Sequence, residues 1–214
     1  MSDQSEEGEY PQFASPPCFA HELEDIISPK EVSQWRKTER VRLLKKRVAM
    51  PASVRRAAAI SVAERLNRLI PDVSERICSF YWPFRGEPDL RPLMEQWYQE
   101  GAACALPCVT RKNSSMEFRP WEPGTQMEPG IWNIPVPVND EVVMPDLVIA
   151  PLVGFDRGNY RLGYGGGYFD RTLAAMSAKP TIIGVGYSDL EMPTIHPQSY
   201  DVPMNYIVTE TGVI

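Results

Sequence analysis

The chain has 214 residues, 43% of them apolar and 23% charged, the range of an ordinary globular domain with a core of its own. No apolar run approaches membrane-spanning length, and the first 29 residues hold no lysine or arginine, so neither a membrane span nor a secretory signal is expected, and the cytoplasm is. The net charge of −6 conceals a segregation: residues 1–29 carry seven acids and no base, residues 30–68 twelve bases and three acids.

Residues 1–30 read as an acidic, proline-punctuated leader that is poorly ordered, and residues 31–214 as one domain. The basic block that follows the leader suits a nucleic-acid footprint, a polyphosphate site or a solvated helical face, and composition favours the last. From Glu31 to Ala49 the spacing of Val32, Trp35, Val41, Leu44 and Val48 predicts a helix. Pro51 opens a second helix, with Ile60, Ala63, Leu66 and Ile70 along one side and Pro71 at its end. "RICSFYW" (76–82) is apolar and aromatic enough for a strand, and "PDLRPLMEQWYQEG" (88–101) for a helix stopped by Gly101. "CALPCV" (104–109) and "SMEFRPW" (115–121) read as strands. Residues 119–145 are too rich in proline for an interior strand and read as an ordered connection that shelters Trp121, Ile131 and Trp132. "DLVIAPLV" (146–153) is the clearest buried strand. A helix over 168–178 and strands "TIIGVGY" (181–187) and "YIVT" (206–209) complete the pass. This alternation predicts a three-layer α/β/α domain around a largely parallel sheet, preceded by basic helices. The four cysteines, Cys18, Cys78, Cys104 and Cys108, lack paired zinc spacing and lie far in sequence from His21 and His196, so reduced thiols and no structural zinc are expected.

Between the best strand and the next helix lies "RLGYGGGYFDR" (161–171), with four glycines in five positions. Glycines bring bare N–H groups close to a ligand, and the following helix N-terminus adds unpaired N–H groups and partial positive charge. With Arg161 and Arg171 flanking it, the stretch reads as a phosphate site, although the Walker and dinucleotide patterns both fail because Gly167 is followed by Tyr168. A loop whose glycines serve only geometry is the alternative.

"APLVGFDRGNYRLGYGGGYFDR" (150–171) closely resembles the signature of the 5-formyltetrahydrofolate cyclo-ligases, also called methenyltetrahydrofolate synthetases. "VRLLKKRVAM" (41–50), "FYWPFRGEPDLRPLM" (80–94), "GAACALPCV" (101–109), "MEF" (116–118), "IWNIPVP" (131–137) and "HPQSYDVPMNYIVTETGVI" (196–214) match in order, so the resemblance runs from about Trp35 to the end. It implies a reaction in which ATP phosphorylates the formyl oxygen of 5-formyltetrahydrofolate and N10 attacks the activated carbon. Loss of phosphate then leaves 5,10-methenyltetrahydrofolate and ADP. The resemblance implies that Arg42, Arg161 and Arg171, with Gly163, Gly165, Gly166 and Gly167, hold the phosphates. It assigns the folate to Glu87, Met116, Trp132 and Tyr168, and Mg²⁺ to Asp170 and Asp201. The partners implied are ATP and the folate, with no nucleic acid and no membrane, and a monomer is expected. On the residues alone, Arg42 reads better as a solvated base and Met116 and Trp132 as core, while Glu87 and Asp170 read also as helix-start carboxylates. Many members have a basic residue four positions before the first-helix arginine, where this chain has Thr38, and some have Gly-Lys-Gly at 165–167. A non-catalytic folate or nucleotide binder on the same fold stands as the alternative function.

Overall fold

The computed structural model describes residues 28–214, so the expected leader lies outside the described residues up to position 27. Ser28 already belongs to the folded body. Its hydroxyl accepts from the Glu31 N–H at 3.4 Å while the Glu31 carboxylate accepts from the Ser28 N–H at 2.8 Å, a capping box that starts helix α1 (Pro29–Ala49). Helix α2 (Ala52–Leu69) follows after Pro51.

The chain then lays down β1 (Ile77–Ser79), α3 (Arg91–Gln99), β2 (Ala103–Cys108) and β3 (Glu117–Trp121). A two-stranded ribbon, β4 (Met127–Pro129) and β5 (Pro135–Pro137), precedes β6 (Leu147–Pro151). A small antiparallel pair, β7 (Gly154–Phe155) and β8 (Arg161–Leu162), leads to α4 (Tyr168–Ala175), β9 (Thr181–Val185) and β10 (Tyr206–Val208). Six strands form one sheet in the order β10-β9-β6-β1-β2-β3, parallel except for the β2–β3 pair. The expected largely parallel sheet is therefore present. Successive residues of β6 serve opposite faces, as the strand period requires. Leu147 and Ile149 join Val62 and Leu66 of α2 and Leu93, Met94 and Trp97 of α3, whereas Val148 and Ala150 join Leu173 of α4 and Met176 just after it. That division makes three layers.

Helix α1 lies on neither face. Leu43 clusters with Leu162, Tyr187, Leu190, Met192 and Ile195, which belong to loops and strand ends beyond the carboxyl edge of the sheet. Its inward stripe is Val32, Arg36, Leu43 and Arg47, with Trp35 and Leu44 partly buried beside it; of the apolar set read from the sequence, Val41, 65% exposed, and Val48 face solvent. Helix α2 and its C-terminal cap pack Ala63, Leu66 and Ile70 on the core as expected and bury Ala58, Ala59 and Val62 as well, but Ile60 is exposed. Helix α4 ends at Ala175, three residues early, because Met176 turns to extended backbone. The proline-rich connection is ordered as expected, but Ile131 and Trp132 are exposed rather than sheltered. Their turn links the ribbon strands, and Trp132 sits there at φ +57°.

From β1 the chain runs outward to β2, and from β6 it runs the other way to β9. The β1/β6 pair is thus where the winding reverses, and ligands of open α/β sheets gather in the crevice beyond such carboxyl ends.

Candidate active site

A cavity of about 660 Å³ occupies that crevice. Its walls come from α1, the turn after β1, the β2–β3 hairpin, the β4–β5 turn, the glycine loop, the first turn of α4 and residues 199–202. Arg161, Gly163, Gly165, Gly166, Gly167, Arg171, Glu87, Met116, Trp132, Tyr168, Asp170 and Asp201 all line it. Of the residues expected in the site, Arg42 alone is elsewhere.

The glycine loop is shaped by two left-handed positions, Gly165 at φ +94° and Gly167 at φ +63°, which a side chain would strain. Gly167 is also the N-cap of α4 and has no side-chain cap, so first-turn N–H groups are left to a ligand. Arg40 holds the loop from α1: its Nε donates to the Gly163 carbonyl at 2.8 Å, and its guanidinium lies against Gly165. Arg171 holds it from α4, donating to the Gly166 carbonyl at 2.6 Å with its guanidinium over the Tyr168 ring.

The α1 arginines divide by helical phase. Arg42 is an exposed side chain paired with Glu39 one turn before it, on the solvent side of the helix. Arg36 and Arg40, one turn apart, reach the cavity instead. Arg36 grips both carboxylate oxygens of Asp201, at 2.5 and 3.2 Å, and donates to the Ile195 and His196 carbonyls at 2.9 Å each. Arg161 is buried, pairs with Asp170 at 3.0 Å and lies over the Phe169 ring. Burial lowers the pKa of both Arg40 and Arg161 from the ordinary arginine value, though arginine stays charged. Four arginines (36, 40, 161 and 171) against two aspartates (170 and 201) leave this part of the lining positive.

The remaining lining is aromatic and apolar around one buried carboxylate. Glu87 accepts from the Tyr164 hydroxyl at 2.9 Å and from the Phe84 N–H at 2.9 Å, with the Arg47 guanidinium 3.8 Å away. Burial pushes the Glu87 pKa from 4.5 up to about 7, against the pull of Arg47 and the two hydrogen bonds. Arg47 is itself fully buried, donating to the carbonyls of Arg85 and Leu152, each at 3.0 Å, and to the Tyr164 hydroxyl. Trp132 stands edge-on to Tyr168, their ring centres 6.0 Å apart. Met116, on the inner wall, is tied to α4 by its N–H, which donates to the Thr172 hydroxyl at 2.8 Å.

The profile of the 5-formyltetrahydrofolate cyclo-ligase family matches residues 32–210. The chain belongs to that family. Among similar proteins, the 5-formyltetrahydrofolate cyclo-ligase of Mycolicibacterium smegmatis is 29% identical over 198 residues, covering 88% of this chain and 98% of its own. The enzyme of the same name from Haemophilus influenzae is 28% identical, covering 80% and 96%. The solution structure of the Aquifex aeolicus 5,10-methenyltetrahydrofolate synthetase superposes with a TM-score of 0.72 at 30% identity, covering 83% of this chain and 91% of that one. The cyclo-ligase family is one of ligases, which makes this chain an enzyme of that class.

Two features of the cyclo-ligase cavity escaped the sequence reading. The inward arginines of α1, at 36, 40 and 47, follow helical phase with Leu43, and that i, i+4, i+7, i+11 spacing was the available signal. Placing the loop-contacting arginine at Arg40 also puts a basic residue, Arg36, four positions before it. Tyr164 gave no comparable cue, since its partners lie 117 and 77 residues away. The metal expectation divides. Both Asp201 oxygens are engaged by Arg36, and one also accepts from the Gln198 N–H at 2.6 Å, so this carboxylate fits an arginine partner better than a cation ligand. Asp170 carries one hydrogen bond or ion pair on each oxygen and is the more open of the two, 21% exposed against 8%. One carboxylate with substrate phosphates is a usual Mg²⁺ arrangement, and Asp170 fits it.

Proposed function

We propose that the protein catalyses the ATP-dependent cyclisation of 5-formyltetrahydrofolate to 5,10-methenyltetrahydrofolate, with release of ADP and phosphate. The observation that carries this reading is one cavity joining an arginine-rich, glycine-looped wall to an aromatic wall with a buried carboxylate. The first matches a polyphosphate and the second a flat heterocycle with adjacent N–H donors. Membership of the cyclo-ligase family supports the same pairing.

The N–H groups of the glycine loop and the first turn of α4 bind the ATP phosphates, with Arg36, Arg40 and Arg161 supplying positive charge. These donors face the transferring phosphoryl group and stabilise the charge that spreads over its oxygens. Glu87 accepts from the pterin amino and ring N–H groups, and Trp132, Tyr168 and Met116 wall the ring. Held in this way, the formyl oxygen meets the γ-phosphate, N10 attacks the activated carbon, and phosphate departs. Mg²⁺ held by Asp170 would supply charge neutralisation on the phosphates.

Absorbance of methenyltetrahydrofolate tests the reading directly. Product should form from 5-formyltetrahydrofolate only with ATP and Mg²⁺ together, in step with ADP release. Folded protein that binds either ligand but yields neither product would leave the non-catalytic binder as the better reading. Asp170→Asn keeps the shape of the side chain and removes its charge. The Mg²⁺ concentration for half-maximal rate should rise about tenfold, because one carboxylate of a mainly phosphate and water shell is lost. Folate affinity should move less than about twofold, since Asp170 lies on the phosphate side. An unchanged Mg²⁺ requirement would assign Asp170 to holding Arg161 alone.

A further inference from the structure

Tyr164 is the one side chain of the glycine loop that touches the carboxylate on the aromatic wall. It stands between Gly163, whose carbonyl Arg40 grips, and Gly165, against which the Arg40 guanidinium packs. Its hydroxyl donates to Glu87 and accepts from Arg47, and its ring leans on Phe84 with centres 5.9 Å apart. Arg47 is anchored independently of the phenol, because its Nε and one terminal nitrogen donate to carbonyls of the turn after β1 and the loop after β6. The phenol thus hydrogen-bonds the carboxylate of the aromatic wall while the main chain on either side of it forms the glycine loop.

We infer that Tyr164 is a positioning residue coupling the two substrate sites, so that a nucleotide in the glycine loop and a folate on Glu87 each tighten the binding of the other. This rests on the functional reading above. A phosphate that settles on the loop N–H groups fixes the backbone at 163–165 and with it the phenol. The phenol in turn holds Glu87 in one orientation and in its ionised form. Whichever ligand binds first bears the cost of ordering the pair, and the second finds it ordered, which is positive coupling without a change of shape. The coupling is reciprocal, so it can be read from either ligand. The titratable groups facing Glu87 are Arg47 from α1, Tyr164 from the loop, Tyr81 beyond the end of β1 and Tyr187 beyond the end of β9. Of these, Arg47 alone is charged at neutral pH, and Tyr164 is the one that a nucleotide can move.

Calorimetry with 5-formyltetrahydrofolate, with and without Mg²⁺ and a β,γ-imido analogue of ATP, tests this on wild type and Tyr164→Phe. In wild type the analogue should lower the folate Kd by about tenfold, within the usual range of coupling between sites. In Tyr164→Phe that ratio should fall below about twofold. Any uniform loss of affinity cancels from the ratio, and the phenyl ring keeps its packing on Phe84, so a lower melting temperature from the hydrogen bonds lost at Arg47 and Glu87 does not enter the comparison while the variant stays folded. The pH profile supplies a readout that packing alone would not move. Folate affinity should rise as Glu87 ionises near pH 7, and losing the phenolic donor should shift that rise to higher pH. A ratio that stays near tenfold in the variant, or a wild-type ratio near one in protein that turns over, overturns the coupling and leaves the functional reading intact. Wild type that neither binds nor converts the folate overturns both.

Discussion

Arg36→Met should lower folding stability by about 3–5 kcal/mol, the usual result of removing one partner from a buried ion pair. Both side chains of the Arg36–Asp201 pair are under one-tenth exposed, and the guanidinium serves two backbone carbonyls as well. Methionine fills the space but leaves Asp201 charged, dehydrated and held by one N–H from Gln198. For a domain of this size the melting temperature should fall by about 6–20 °C. Arg42→Met, six residues on, removes an exposed arginine whose partner is one helical turn away, and should cost less than about 0.5 kcal/mol. Urea unfolding of both variants, with unchanged m-values, makes the comparison. Similar midpoints would mean that the buried pair contributes no more than a surface one.

Glu87→Gln should weaken 5-formyltetrahydrofolate binding by roughly 10- to 150-fold, the equivalent of about 1.5–3 kcal/mol for a lost charge-assisted hydrogen bond in a dry pocket. Glutamine keeps the size but turns an NH₂ toward the N–H donors of the pterin. ATP affinity measured without folate should barely change, because the carboxylate makes no contact with the glycine-loop backbone. The same substitution tests the charge of Glu87 in the free protein. A carboxyl whose pKa rises from 4.5 unfolded to about 7 folded binds more protons in the folded state between those values. Its contribution to stability is therefore greatest below pH 4.5 and is lost as pH rises through 7. Folate binding needs the ionised form and runs the other way, strengthening through the same window. Unfolding at pH 5 and pH 8 should show that the variant lacks this part of the slope. Equal loss of both ligands would point to a general defect, and no loss of folate would remove Glu87 from the pterin site.

What could be read from the sequence was what is written in consecutive residues. Strand β6 is an unbroken apolar run because it is buried on both faces, and the glycine loop runs directly into α4, so both were visible without any distant partner. Helix α1 was seen, with Val32, Trp35 and Leu44 packed as read, but its buried arginines were missed. Hydropathy assigns valine inward and arginine outward, whereas Arg36 and Arg47 are buried by partners in loops more than 100 residues along for the first and from three separate segments for the second. Trp132 was read as sheltered from its size and as a folate wall from the resemblance; it is exposed at a left-handed turn and lines the cavity. The ribbon around that turn was invisible for a different reason. Prolines at 129, 135 and 137 rule out an interior strand, yet an isolated antiparallel pair has free edges that tolerate them.

The arginine stripe of α1 has a consequence for how the chain is made. This helix leaves the ribosome before every element it docks on. The carbonyls and carboxylate that receive Arg36 lie 159–165 residues later, and the Gly163 carbonyl that receives Arg40 lies 123 later. At about 5–20 residues per second, Arg36 waits roughly 8–30 s for its partners. A leucine stripe would spend that interval as a sticky surface open to neighbouring nascent chains. Guanidinium groups wait in water at no such risk and surrender their hydration only when Asp201 and the late loops arrive. Polar burial in this helix is thus suited to vectorial synthesis, and docking of α1 should be among the last events of folding.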